Sequence, residues 1–567
     1  MTARAARRTY PQVDPGAAGL LNVRLGRAPA RATVGQALGL ARLRSAALIR
    51  VGEAGWVLRE DLNRAQSLGL DALPAAAVAR GLPAVGIDES EVRVRRLVAA
   101  GAPAVIVRDR RGPVGGVMLP PGRAAASALL GRWFVERLPA AARAILETVT
   151  RLAAEQGARA FLAGGTVRDA VRGTGAAPSG RDIDIVIEGD GVTVARALAA
   201  ALGRSSERAP LEHGRFLTAS LTWPPDTRVD VATARSERYE RPGALPRVLP
   251  ATIGQDLARR DFTINAMAVE LESGGFGLLD PFGGRDDLKR RRLRVLHPLS
   301  FVEDPTRIFR AARYGARLGF GLETWTARAQ TLALRLGPYP ALSGQRLAAE
   351  IALILDDDRP ELALRRLGQA GAFRLLDHRF RFTRLTAVRV GALPRGLAWL
   401  RARNLAVTPL DLAALVLAAD QVPDVASLLL GRLGFTGEPR ARLERALAEW
   451  RDLASRVRRA RRPSERARPL WDRSDVELAW LAIVGGAAAR SAVEWFLASA
   501  RGVRPVLSGD DVIGLGVPRG AEVAWALQAL RDARLDGGVV DRDGEAMCVQ
   551  DWVDRKGGMA WLPSSSS

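Results

Sequence analysis

At 567 residues the chain is too long for one hydrophobic core, and three or four domains are expected. A composition of 48% hydrophobic and 26% charged residues is that of a globular protein, and the single cysteine, Cys548, excludes an internal disulfide framework and any cysteine-based zinc site. The net charge of +23 suits a polyanionic partner, yet only Lys289 and Lys556 are lysines among the 84 basic residues, so part of the arginine excess is compositional.

The N-terminal MTARAARRTYPQVDPG is basic but leads into no apolar segment, so it is not a secretory signal. No charge-free apolar run reaches the roughly 18 residues needed to span a bilayer, so a cytoplasmic protein with no membrane partner is expected. Residues 1–30, rich in Arg, Ala, Gly and Pro without periodicity, read as a disordered tail. Residues 31–122 hold two similar units, with ALIRVGEAGWVLREDLNRA in the first and PAVIVRDRRGPVGGVMLP in the second. Each has a β-branched strand, a glycine turn, a second strand and a helix. They resemble a pair of CBS repeats, which implies an adenine nucleotide between the halves with Asp61 at its ribose and phosphate. Leu58 stands where such repeats carry a hydroxyl, and a structural or dimerising module is the alternative.

Residues 140–297 mix strands and helices. In FLAGGTVRDAVRG (Phe161–Gly173) an apolar strand ends in Gly164-Gly165 and a helix begins at once. Glycines there let backbone N–H groups approach a triphosphate at a helix N-terminus, and Arg168 in the first turn can add a phosphate contact. In RDIDIVIEGDG (Arg181–Gly191) strand alternation puts Asp182 and Asp184 on one face and Ile183, Ile185 and Ile187 on the other. Two repelling carboxylates on one face suit a divalent cation, magnesium by its preference for oxygen ligands, or else an exposed edge strand with solvated aspartates. TRVDVATARSE (Thr227–Glu237) is a third alternating strand, and Asp230 on it would complete a two-metal site.

These elements are followed in fixed order by DLARRDFTINAMA (Asp256–Ala268), DPFGGRDDL (Asp280–Leu288), EDPTRIFRAARYGARLGF (Glu303–Phe320) and SGQRLAAEI (Ser343–Ile351). Together they resemble the tRNA nucleotidyltransferase and poly(A) polymerase family in its bacterial CCA-adding branch. The resemblance implies an α+β multidomain protein: the CBS pair, a nucleotidyltransferase head with a mixed β-sheet, an all-α neck (298–357) that recognises the nucleobase, and a helical body and tail (358–567) that bind tRNA. It also implies catalytic roles for Asp182, Asp184 and Asp230, with two Mg2+ ions on Asp182 and Asp184. Gly164, Gly165 and Arg168 would hold the nucleotide phosphates. Arg260 would contact the incoming nucleotide, with Asp261 near its ribose. Asp304 and Arg307 would read the base, with Arg310 and Arg313 nearby. Adenine and cytosine both offer an amine donor beside a ring-nitrogen acceptor, which an aspartate and an arginine three apart on one helix can address together. Such a pair admits ATP and CTP and rejects GTP and UTP.

The long loop Ala234–Leu257 argues against a CC-adding enzyme, in which this loop is shortened, and HGRFLTASL lacks the arginine-rich segment of bacterial poly(A) polymerases. CBS repeats ahead of a transferase resemble the A-adding members, some of which carry a DHH phosphoesterase domain upstream; no DHH signature is present, and the sequence starts after the expected place of that domain. The three histidines, His213, His297 and His378, are scattered, so histidine metal chemistry is not expected. Beyond His297 apolar residues recur at helical spacing. Within that region Arg456, Arg458, Arg459, Arg461 and Arg462, in a run of seven arginines from Arg456 to Arg468, are an expected RNA-backbone contact or else a solvated face. The expected reaction is addition of AMP, with CMP left open as a second product, to a tRNA 3′ end. The rivals are a poly(A) polymerase and a catalytically silent RNA-binding or nucleotide-sensing protein. The silent reading gives three mutually repelling carboxylates no reason to persist.

Overall fold

The computed structural model describes residues 16–119, 138–173, 182–201, 211–223, 227–272 and 275–556. The chain divides after Ser343 into two compact units.

The first unit opens with two small sheets of the same topology. Strands β1 (Leu25–Ala28), β2 (Leu48–Val51) and β3 (Gly55–Leu58) form one, and β4 (Ala84–Gly86), β5 (Val105–Asp109) and β6 (Gly112–Val117) the other; in each the first pair is parallel and the second antiparallel. Leu48 and Leu58 of the first sheet share a buried cluster with Ile106 of the second and with Ala104 just before β5. Helix Val34–Leu43 starts at a capping box of Thr33 and Gln36, so its first orphan N–H groups are satisfied locally. The expected tail is shorter than 1–30. From Gly16 the chain is built in: Ala17 is buried with its N–H donating to Glu89 O at 2.7 Å, and β1 pairs with β2. A four-residue strand carries too little periodicity to be read, whereas its backbone pairing needs none. Asp61, expected at a ligand, is instead buried in an ion pair with Arg80, whose guanidinium lies over the Trp325 ring at 4.6 Å.

The larger sheet holds β7 (Arg159–Ala163), β8 (Asp182–Glu188), β9 (Leu211–His213), β10 (Thr218–Trp223), β11 (Thr227–Thr233), β14 (Ala268–Glu272) and β15 (Gly275–Leu279), in the order β15-β14-β7-β8-β11-β10-β9. Only β8 and β11 pair in parallel. β8 is therefore a central strand, which removes the edge-strand reading of its aspartates. Helices Ala140–Glu155 and Gly191–Ala201 pack on this sheet. Helix Ile253–Ala258 packs against Phe161, Ala163, Val186 and Ala268. The loop before that helix is a hairpin of β12 (Arg235–Arg238) and β13 (Arg247–Pro250). Helices Ser300–Glu303, Thr306–Leu318 and Thr324–Leu336 follow; a short parallel pair joins β16 (Arg292–Leu293), before the expected all-helical neck, to β17 (Gly321–Leu322), inside it.

Helix Gly344–Leu355, expected to end the neck, lies in the second unit and packs on helix Pro409–Ala418. A Cβ on Gly344 would sit 1.7 Å from Arg432 O, so only glycine allows this approach. The second unit is helical throughout its described residues, with Trp480 among its fully buried side chains. Its last three helices, from Gly509 to Lys556, enclose a cluster that includes Val512, Leu530 and Val549. No described helix is long and apolar enough to cross a membrane.

Candidate active site

The β7 strand runs into Gly164, at φ +76° and ψ −143°, and helix Gly165–Arg172 starts behind it. That backbone conformation is open to glycine and almost nothing else. A Cβ on Gly164 would lie 2.4 Å from Asp184 Oδ2, so the Asp184 carboxylate sits directly against the glycine turn. Asp230 on β11 is the register partner of Asp184 on β8, and both are half-buried. Like charges facing each other across a ladder destabilise it. Around Asp230 the repulsion is relieved by Ser220 Oγ, which donates to its Oδ1 at 2.5 Å, and by Arg228 Nε at 3.1 Å. Asp182 begins β8 two residues before Asp184, and its side chain lies outside the described residues. Among the described residues no trio of metal-ligating side chains converges. The donors that do face one another are carboxylate oxygens, a set that fits a hard divalent cation.

Beside this pair runs a closed ring of polar contacts. Arg168 is 4% exposed, and its fork donates to both oxygens of Asp169 at 2.9 Å and to Asn265 Oδ1 at 3.0 Å. Asn265 Nδ2 donates to Asp261 Oδ1 at 3.0 Å, and Arg310 Nε donates to Asp261 Oδ2 at 2.7 Å. Arg310 Nη2 reaches Tyr314 OH at 3.3 Å, and the Tyr314 ring lies 5.6 Å from the Arg168 guanidinium. Burial alone would raise the Asp261 carboxyl, but Arg310 and Asn265 overcome it and hold the group below the ordinary range. Arg260 donates to Asp256 and to the Asn265 carbonyl, and Arg259 donates to the same buried Asp256. Arg168 and Arg260 thus meet in a shared network through Asn265.

Asp304 and Arg307, expected to read the base, are arranged differently from the helical expectation. Asp304 is extended, at φ −135° and ψ 95°, and precedes helix Thr306–Leu318 instead of lying on it. Pro305 causes this, because its ring disfavours helical backbone at the residue before it. Asp304 Oδ1 accepts from the Thr306 N–H at 3.1 Å and from its hydroxyl at 2.7 Å. Arg307 is buried and donates to Ser300 Oγ and to Arg259 O, both at 2.7 Å. Arg313 stacks at 5.2 Å from Tyr314, so Arg168, Arg310 and Arg313 surround one phenol ring. Tyr314, Asn265, Asp256 and Ser300 were not singled out by sequence reasoning. Tyr314 could have been found, since it is the only aromatic four residues after an arginine of the EDPTR segment; the others carry no local signal.

Arg456, Arg458, Arg459, Arg461 and Arg462 are all exposed, at the end of helix Gly437–Arg459 and in the turn after it. Further along the run, Arg468 pairs with Asp532 at 2.7 Å and Arg466 lies 5.9 Å from the Trp495 ring. His297 is buried beside Glu303 and His378 is exposed.

Residues 160–294 match the family model of the poly A polymerase head domain. The chain is 33% identical over 418 residues to an A-adding tRNA nucleotidyltransferase of Geobacter sulfurreducens, covering 72% of this chain and 47% of that protein. It is 38% identical over 301 residues to a CC-adding tRNA nucleotidyltransferase of Deinococcus radiodurans, covering 51% of this chain and 70% of that protein. The fold is similar to a CCA-adding enzyme in its apo form, with a TM-score of 0.65 and 27% identity over 74% of this chain and 98% of that one. The chain spans about half the length of the A-adding relatives from Geobacter sulfurreducens and Halalkalibacterium halodurans.

Proposed function

For a chain that belongs to the tRNA nucleotidyltransferase family, we propose addition of AMP from ATP, and of CMP from CTP if that donor is also used, to the 3′ end of tRNA with release of pyrophosphate. The observation that carries this reading is the Gly164–Gly165 turn resting on Asp184 with Asp230 in register beside it. Enzymes of this type use divalent metal ions. Carboxylates as the available donors favour magnesium, held by Asp182 and Asp184 with Asp230 as third carboxylate. When bound, such ions activate a 3′ hydroxyl and neutralise a leaving pyrophosphate.

The protein's own groups then divide the work. Backbone N–H groups after Gly164 face the triphosphate at the helix N-terminus. Arg168, Asp261 and Arg310 hold one another rigid, so the nucleotide meets a preformed wall in which Arg260 and Asp261 face its sugar and phosphates. Asp304 accepts from the exocyclic amine, and Arg307 donates to the ring nitrogen, with Arg310 and Arg313 around Tyr314 closing the pocket. In the second unit, Arg456, Arg458, Arg459, Arg461 and Arg462 contact tRNA phosphates, as suits A-form RNA read by shape. An adenine nucleotide is proposed for the groove of about 630 Å3 lined by Arg24, Arg27, Arg44 and Trp56 of the N-terminal repeats. A cytoplasmic location fits a tRNA substrate.

The test is purified protein with magnesium, each labelled nucleotide in turn, and tRNA that is complete, lacks its terminal A, or lacks all of CCA. Incorporation of AMP into tRNA lacking A, with no CMP added to tRNA lacking all of CCA, identifies an A-adding enzyme. Long A tracts on unrelated RNA would replace this reading with polyadenylation, and no incorporation on any tRNA would refute it.

A further inference from the structure

The N-terminal repeats dock on the transferase head at two places. At the first, the turn after helix Glu91–Ala99 meets the DPFGG turn backbone to backbone. A Cβ on Gly101 would lie 2.0 Å from Phe282 O, one on Gly283 would lie 2.4 Å from Ala100 O, and Arg294 bridges the Gly101 and Phe282 carbonyls. At the second, Arg64 on helix Arg59–Ser67 reaches into the neck. Its Nη1 lies 2.9 Å from Glu303 Oε1 and 3.4 Å from His297 Nε2, and Glu303 Oε2 lies 3.3 Å from the same His297 nitrogen.

Glu303 is 3% exposed, His297 is 5% exposed, and Asp304 follows Glu303 directly. A buried carboxylate that loses its cation is left as an uncompensated charge, at a cost that favours pairing with another cation in reach. The next cation within its field is Arg307, which stays on Ser300 Oγ and Arg259 O while Glu303 is neutralised from elsewhere. We propose that Arg64 is a positioning residue for nucleotide choice: by neutralising the buried Glu303 it keeps Arg307 on Ser300 Oγ and Arg259 O, the place from which it faces the base beside Asp304. This rests on the base-reading role given to that pair above, and it makes the N-terminal repeats a structural part of nucleotide selection.

The charged groups acting on His297 are Arg64, Glu303 and Arg307. Burial, then Arg64, push its imidazole below the ordinary value against the pull of Glu303, so it is neutral at neutral pH. Removing Arg64 raises it. His297 then carries the balancing charge in acid solution and loses it as pH rises, leaving Glu303 to draw Arg307 away. The experiment compares the full chain with R64Q and R64K, measuring kcat/KM for ATP and GTP on tRNA lacking its terminal A. The wild-type ATP:GTP ratio is expected to be flat from about pH 6 to about pH 8.5, and that of R64Q to fall about tenfold over the same range. R64K keeps the charge and the flat ratio. A merely structural Arg64 would lower all rates together at every pH, and a flat R64Q ratio overturns the proposal. Should R64Q fail to fold, the double variant R64Q/E303Q, with no unbalanced buried charge, is expected to fold and show a flat ratio; an unfolded or pH-dependent double variant also overturns it. A wild-type protein inactive on every tRNA refutes the function itself, which separates the two failures.

Discussion

Gly164→Ala strikes the point where the phosphate turn and the metal face touch. The backbone there, at φ +76° and ψ −143°, costs a residue with a Cβ about 1–3 kcal/mol, so a measurable loss of folding stability is expected. The new methyl would also stand 2.4 Å from Asp184 Oδ2. That oxygen is the far end of a side chain and can rotate away cheaply, so the collision adds little to the stability loss. The catalytic cost is larger, because the displaced atom is the proposed metal ligand, and a shift of about 1 Å in a reacting constellation costs on the order of a hundredfold. The assay pairs urea unfolding with kcat for AMP addition to tRNA lacking its terminal A, corrected for the folded fraction. A kcat within about threefold of wild type would refute the close coupling of turn and carboxylate.

Arg307→Ala strips the donor from Ser300 Oγ and Arg259 O and from the base, at ~1–3 kcal/mol per group, or about one to two decades in kcat/KM for ATP, and discrimination against GTP and UTP should narrow. Equal losses on all four nucleotides would make Arg307 a structural residue only. For Glu303, burial works against ionisation, but His297, Arg64 and Arg307 hold the carboxyl at about 2. A depressed carboxyl stabilises the fold above its ordinary value near 4.5, and that contribution, about 3 kcal/mol, fades as pH falls toward 2. Glu303→Gln should therefore flatten the acid limb of the Tm profile, and an unchanged limb contradicts the assignment. Replacing Arg456, Arg458, Arg459 and Arg461 with Gln should weaken tRNA binding and flatten log K against log salt by roughly 0.7–0.9 for each phosphate no longer neutralised. An unchanged slope marks a solvated face.

What could be read from residues alone was what strand alternation and turn chemistry control. The D-I-D-I-V-I pattern announces β8, and Asp230 falls opposite Asp184 because the parallel register puts it there. What escaped was assembled from distant positions. That Arg168 also donates to Asn265, far along the chain, carries no local signal. Asp304 and Arg307 look like a helical pair, and Pro305 breaks the helix between them. Residues 16–30 have no pattern because their order comes from pairing with β2 and the second sheet, and the neck boundary moved because Gly344 lets its helix pack against Arg432. Arg64 on Glu303 joins positions 239 residues apart, and nothing local signals it.

The central claim is that Asp184 and its neighbours perform metal-dependent transfer to an RNA 3′ hydroxyl. The most direct measurement follows AMP incorporation and pyrophosphate release together, with and without magnesium, for wild type and for Asp184→Asn on tRNA lacking its terminal A. The expected result is one pyrophosphate per AMP for the wild type, none after chelation, and none for the variant, whose tRNA affinity stays within a few-fold. Retention by Asp184→Asn of more than about a tenth of the wild-type rate, or incorporation that survives chelation, would contradict the account.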